Sequence, residues 1–133
     1  MDVQQALADL TEISSQIEAA VLFDADGSVQ GSTLPDEAAA GALADGAARL
    51  LERADASRSD GTTVTQVEAA LADGCVFVVR EGERLIAATS VANPTVGLVF
   101  YDLKSCLRDS APEPDAEKPK AKRPRKKAAD DEA

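Results

Sequence analysis

Apolar residues recur near the start of the chain at Val3, Leu7, Leu10, Ile13 and Ile17, in steps of 4, 3, 3 and 4. That spacing lays them along one stripe of a helix, so an amphipathic helix is predicted over 2–18. The period then breaks. Ala19 to Phe23 is an unbroken apolar run, as a strand covered on both faces would carry. Ser28 to Thr33, with Gly31 inside it, suits an edge strand. Between the two, Asp24-Ala-Asp-Gly27 supplies the residues a tight reversal needs. Pro35, Asp36 and Glu37 then open a second helix, running to about Ser57, with acids placed to complement its dipole. Its buried stripe reads Ala40, Leu43, Ala47, Leu50 and Ala54. Gly41 and Gly46 each cost such a helix about 1 kcal/mol of propensity, so a packing reason is worth seeking.

After Ser59-Asp-Gly61 the period changes from helical to alternating. Thr63 to Leu71 places Val67, Ala69 and Leu71 on one face and Gln66 and Glu68 on the other. Asp73-Gly74 turns the chain into the β-branched run Cys75 to Arg80, and Glu81-Gly82 turns it again into Leu85 to Val91. Asn93-Pro94 reads as an N-cap followed by a first-turn proline. Val96, Phe100, Leu103 and Leu107 then mark a last helix, with strand an alternative for 96–101. The last three strands are joined by connections too short for a parallel crossover and must form an antiparallel meander. The predicted fold class is α+β, in the order α-β-β-α-β-β-β-α. Its five-stranded antiparallel sheet carries one helix on one face and two on the other.

Charge divides the chain. Residues 1–108 carry 17 acidic and 7 basic side chains, while 109–133 carry seven of each, all seven bases lying in 118–127, KPKAKRPRKK. An acidic domain, 1–108, is therefore followed by a tail, 109–133. The domain's own field would repel phosphates. The tail has four prolines and no large apolar side chain, so it is expected to be disordered. No apolar run is long enough to span a membrane, and the acidic N-terminus argues against a secretory signal. Cys75 and Cys106 lack CxxC spacing and the chain has no His, which argues against zinc, haem and imidazole chemistry. A reducing cytoplasm is the expected setting, with no cofactor.

The stretch VLFDADGSVQGST brushes against the hhhhDxDGT signature of haloacid-dehalogenase phosphohydrolases, with Asp24 as nucleophile and Asp26 as general acid. Those enzymes need a parallel, doubly wound sheet, which the predicted meander denies. A calcium loop starting at Asp24 fails as well, because Val29 and Pro35 stand where the loop requires Gly and Glu. The remaining reading is a hairpin turn. Neither a phosphate-binding glycine loop nor a nucleophile–base pair is present. The cysteines read as small core residues. The domain is expected to bind rather than to catalyse.

The hairpin AAVLFDADGSVQGST, the long small-residue helix, the meander and the closing helix introduced by Asn93 to Gly97 resemble the roadblock-type dynein light-chain superfamily, over about residues 3–108. The resemblance implies a homodimer, with second helices side by side and third strands pairing into one sheet. The implied interface residues are Ala38, Ala42, Ala48, Val64, Gln66 and Glu68. Independently, Val64 to Leu71 would form a sheet edge, which proteins normally pair or cover. Against that, alanine is simply the best helix former.

MglB-like bacterial members of the superfamily serve small Ras-like GTPases, some stimulating hydrolysis without donating an arginine finger, others acting as scaffolds or exchange platforms. The GTPase contact implied here is Asp45, Arg49, Glu52 and Arg53, and Arg49 or Arg53 could in principle act as a finger in trans. Charges on the outer face of a helix are more often merely solvated. The function expected is a non-catalytic homodimeric regulator or scaffold of a Ras-like GTPase. One alternative is a structural adaptor whose tail tethers it to nucleic acid, membrane or an acidic surface, and a distant one is a phosphohydrolase using Asp24 and Asp26. A tail that folds back on the acidic domain or only aids solubility is a further option.

Overall fold

The computed structural model describes residues 2–58 and 60–111. Its elements are α1 Val3–Ile13, β1 Ile17–Asp24, β2 Val29–Ser32, α2 Glu37–Ala56, β3 Gln66–Leu71, β4 Gly74–Glu81, β5 Arg84–Ser90 and α3 Val96–Asp109. Every strand pairing is antiparallel, and the strands stand in the order β2-β1-β5-β4-β3. Residues 72–73 and 82–83 are all that join the last three strands, so each must fold back on its predecessor. β1 then pairs with β5 along its whole length, which leaves β2 and β3 as the two edges. The predicted fold class holds in order, strand number and pairing sense.

Strand pleating sorts the apolar residues into two cores. Leu22, Phe77, Val79 and Ile86 face α1 and α3, where Leu7, Leu10, Leu103 and Leu107 cover them. Val21, Phe23, Val78, Leu85 and Ala87 face α2, whose contact residues are Ala40, Ala44, Ala47 and Leu51. Burial on both sides is why Ala19 to Phe23 shows no alternation. Phe77 and Phe100 meet edge to face with centroids 5.0 Å apart, the arrangement the ring quadrupole favours. α1 rests directly on β2: a side chain at Gly31 would strike Val3 and Gln4.

Several local expectations change. α1 ends at Ile13, not near 18: Ser14 turns extended and caps the helix, its N–H donating to the Leu10 carbonyl. Ile17 belongs instead to β1, where it pairs with Ser90. An apolar residue satisfied either period, so spacing alone could not place it. α2 is rotated from the predicted stripe, burying Ala44 and Leu51 and leaving Leu43, Leu50 and Ala54 half-buried on its flank. α3 starts at Val96 with Thr95 as N-cap, not at Asn93, which adopts a left-handed φ of 55° that Asn tolerates better than most residues. Gln16 accepts the Thr95 N–H at 2.6 Å and fixes that start. Residues 96–101 are helical, so the strand alternative fails. α3 runs on through Asp109 to a buried Ser110. The basic block 118–127 lies outside the described residues.

Candidate interaction surface

α2 is the longest helix and presents one whole side away from the sheet. Asp36 starts it, its side chain accepting the Ala38 N–H at 3.0 Å. Ala38, Ala42, Asp45, Arg49, Glu52 and Arg53 are all exposed. Arg49 Nε lies 3.1 Å from the Asp45 carboxylate one turn earlier. A solvated pair of this kind contributes little to stability, about 0.5 kcal/mol or less, so a partner could displace it at small cost. Gly46, Arg49, Leu50, Glu52 and Arg53 surround a shallow depression on this side. Ala48 does not share it. It is half-buried on the other flank, lining a cleft with Phe23, Leu51, Asp55, Arg80 and Leu85.

The sequence reading missed Leu43, Gly46 and Leu50 as a surface, having assigned both leucines to the core. They recur at steps of 3 and 4 and form an apolar flank that the sheet only half covers. A side chain at Gly41 or Gly46 would meet nothing within 4 Å, so packing inside the chain explains neither glycine. The α2 side of the sheet is also thinly covered near β3. Val67 pairs with Val78 and so lies on that side, where it and Val76 are only half-buried.

The predicted edge residues behave differently from one another. Gln66 and Glu68 pair with Val79 and Phe77 and are exposed, with the outer edge of β3 unpaired among the described residues. Val64 precedes the strand and is clasped. Its N–H donates to Asp55 Oδ1 at 2.8 Å, and its carbonyl accepts from Arg80 Nη2. The same Arg80 nitrogen reaches the Asp55 carboxylate at 2.9 and 3.1 Å. The Val64 N–H, and Arg80 after it, hold the Asp55 carboxyl below its ordinary range. Both main-chain groups of Val64 are thus engaged within the chain, and only its side chain is left to meet a partner.

Asp24 and Asp26 sit in the β1–β2 hairpin. Gly27 takes φ 93°, its N–H donating to the Asp24 carbonyl at 2.8 Å. Asp26 Oδ1 accepts the Ser28 N–H at 2.9 Å, which lowers its pKa, and Asp24 Oδ1 accepts from Gln30 at 2.8 Å. Both carboxylates hold the turn, and the antiparallel sheet around them offers no parallel strand ends for a phosphate crevice. Cys75 and Cys106 are free and buried. The Cys106 thiol, 3.5 Å from the Ala6 carbonyl, is pushed up to about 12, by burial first and then by Asp109, which makes it a poor nucleophile. No described helix is long and apolar enough to cross a membrane.

Among solved structures the chain is similar to a roadblock/LC7 domain from Streptomyces avermitilis. The TM-score is 0.73 at 21% identity, over 82% of this chain and 94% of that one. It is also similar to the gliding protein MglB from Thermus thermophilus, with a TM-score of 0.67 at 15% identity over 81% and 84% of the two chains. An MglB with a tetrameric arrangement gives 0.70 at 14% identity, again over 81% and 84%. No family model and no curated protein matches the sequence. These likenesses establish the architecture: the chain has the roadblock-type, profilin-like α+β fold.

Proposed function

We propose that this chain is a non-catalytic homodimeric regulator or scaffold that binds a small Ras-like GTPase in the cytoplasm. The observation that carries the proposal is the outer side of α2. It has Gly46, which no packing among the described residues explains, within an apolar flank at Leu43, Gly46 and Leu50, and charged residues beside it. A second α2 laid against that flank would bury the half-covered leucines and give Gly46 its reason, since backbones approach closely only over small residues. The open edge of β3, with Gln66 and Glu68, would continue the sheet into the second copy. Ala38 and Ala42 lie where the two helices would run alongside each other.

Fold likeness to MglB supports a GTPase as partner, docked over the paired helices on Asp45, Arg49, Glu52 and Arg53. Arg49 is held only weakly by Asp45 in the free chain, so it is free to turn toward a partner. The folded unit, which runs past the expected boundary at 108 through Asp109 and the buried Ser110, is taken to be the binding module, with the residues after 111 an appended tail.

Two measurements on the full chain test the proposal. Light scattering should give twice the 13.8 kDa chain mass. Small GTPases from the same genome, each loaded with GDP or a GTP analogue, should include one that binds in a nucleotide-dependent way and releases on Arg49→Glu with Arg53→Glu. A monomer at high micromolar concentration overturns the dimer. Lack of binding in either nucleotide state overturns the partner.

A further inference from the structure

On the side of the sheet away from α2, α1 and α3 leave a groove of about 240 Å³ between them. Asp9 and Ile13 line it from α1, and Tyr101, Asp102, Cys106 and Asp109 from α3. Its rim is apolar: Ile13 is 73% exposed and Tyr101 67%. Its lining holds three carboxylates and no cation. Asp102 is the informative one. It is only 8% exposed, and no hydrogen bond or ion pair among the described residues engages its carboxylate; its pKa is raised, by burial alone. A carboxylate partly withdrawn from water without a partner is disfavoured in its charged form, and a cation delivered to it offsets that cost.

The shape of the charge says which cation. No three acidic or Cys side chains converge as a metal site would require among the described residues. Asp102 and Asp109 are separated by seven residues of helix, about 10 Å, and Asp9 faces them from α1. A row of cations on aliphatic stems fits this better than one ion, because Lys and Arg stems can lie along Ile13 and Tyr101 while their heads reach the carboxylates.

The chain itself carries such a row. KPKAKRPRKK, 118–127, holds seven basic residues. Only 112–117 separate it from Ala111, which follows Asp109 by two positions. Six residues of chain reach about 20 Å, whereas the groove from Asp109 back to Tyr101 runs about 12 Å of helix. The block can therefore meet all three carboxylates. The acidic balance of 1–108 adds to the attraction, whereas the C-terminal carbonyls of α3 are already capped by Arg84. We propose that residues 118–127 dock on the α1–α3 groove of their own chain, with Lys and Arg heads on Asp9, Asp102 and Asp109. An anionic lipid surface or nucleic acid would compete with the groove for the same block. This proposal does not depend on the GTPase reading.

Paramagnetic broadening in the full chain tests it. A nitroxide is attached at Ala128→Cys, which reacts selectively because Cys75 and Cys106 are buried. The amides of Asp9, Ile13, Tyr101 and Ser105 should lose about half or more of their intensity at low ionic strength and regain it in high salt, where exposed attractions are screened. Replacing all seven bases of the block, Lys118, Lys120, Lys122, Arg123, Arg125, Lys126 and Lys127, by Gln should abolish the effect, and Asp102→Asn should weaken it. The tail substitutions change none of the residues that form the two described cores, so they keep the test decisive even where Asp102→Asn disturbs α3. Four outcomes overturn the proposal. These are no broadening, broadening centred on α2 or β3, broadening indifferent to the tail charges, or broadening of ¹⁵N chains only by nitroxide carried on other copies.

Discussion

Replacing Gly46 by Ala separates how α2 packs within the chain from how it packs against a partner. A Cβ at 46 meets nothing within 4 Å, so in the isolated fold the change acts through helix propensity alone. Ala is favoured over Gly in a helix interior by about 0.8–1.0 kcal/mol. For a domain of this size that raises Tm by about 4 °C or somewhat more. Gly41→Ala is the matched control. Its Cβ is equally unobstructed, but it lies roughly 140° away around the helix, toward the flank of Ala48.

The two variants should therefore match in stability when dilute and differ only in the flank they enlarge. With a second α2 seated on Leu43, Gly46 and Leu50, the added methyl overpacks the contact by about 1–3 kcal/mol, weakening dimerisation about 5- to 150-fold. Gly41→Ala should leave the dissociation constant unchanged. Far-UV circular dichroism melts of dilute protein read the first effect, since the chain has no Trp and one Tyr for fluorescence. Sedimentation equilibrium reads the second. A Gly46→Ala protein that melts higher and dimerises as tightly as the parent would refute the placement of the interface. A lower melting point in the dilute state would refute the open space around position 46.

Four further predictions follow from the packing. Cys106 titrates near 12 when folded against 9.0 for an ordinary thiol, so alkali favours the unfolded chain. Stability should be full below pH 9 and decline as pH rises from there toward 12, and Cys106→Ala should flatten that slope in pH-dependent urea titrations. Arg84 caps the end of α3 through the Leu107 carbonyl at 2.8 Å, the Ser110 carbonyl at 3.2 Å and Ser110 Oγ at 3.0 Å. Arg84→Ala should cost about 1.5–3 kcal/mol by urea denaturation and fray α3 first in hydrogen exchange. Gly31→Val should press on Val3, Gln4 and Leu7 and destabilise by about 1–3 kcal/mol, seen as a lowered midpoint with α1 amides exchanging early. Asp55, whose pKa is lowered from 3.8, should stabilise the fold above that pH and lose its effect as pH falls below it. Asp55→Asn should abolish this acid dependence and speed exchange of the Val64 amide.

Turn chemistry made the element order legible. Two-residue reversals at 72–73 and 82–83 admit one connection, and the unbroken run Ala19 to Phe23 marked a strand covered on both sides. Helix faces were harder. α2 has alanine on every side, so hydrophobic spacing is nearly degenerate, and only contact with the sheet selects Ala44 and Leu51 over Leu43 and Leu50. Ile17 obeyed the helical period by coincidence while belonging to β1. The start of α3 depends on a long-range bond from Thr95 to Gln16, which no local pattern encodes. That Asp45, Arg49, Glu52 and Arg53 stand on the outside of α2 could be read from sequence, because charged side chains seldom pack against a sheet. Leu43, Gly46 and Leu50 could not, because half-covered apolar residues look like core until the sheet beneath them is seen. The clasp on Val64 was equally invisible, since Asp55 and Arg80 are far apart in sequence.

α2 meets the sheet through Ala40, Ala44 and Ala47, with Leu51 alone bulky among its buried residues. Methyl groups act here as a thin spacer, and their size sets how high the helix rides. Exchanging one for valine would lift or tilt the helix and carry its outer charges with it, without altering a single exposed residue. Differences in surface geometry among proteins of this build can therefore originate underneath the helix, where a comparison of surfaces alone would not find them.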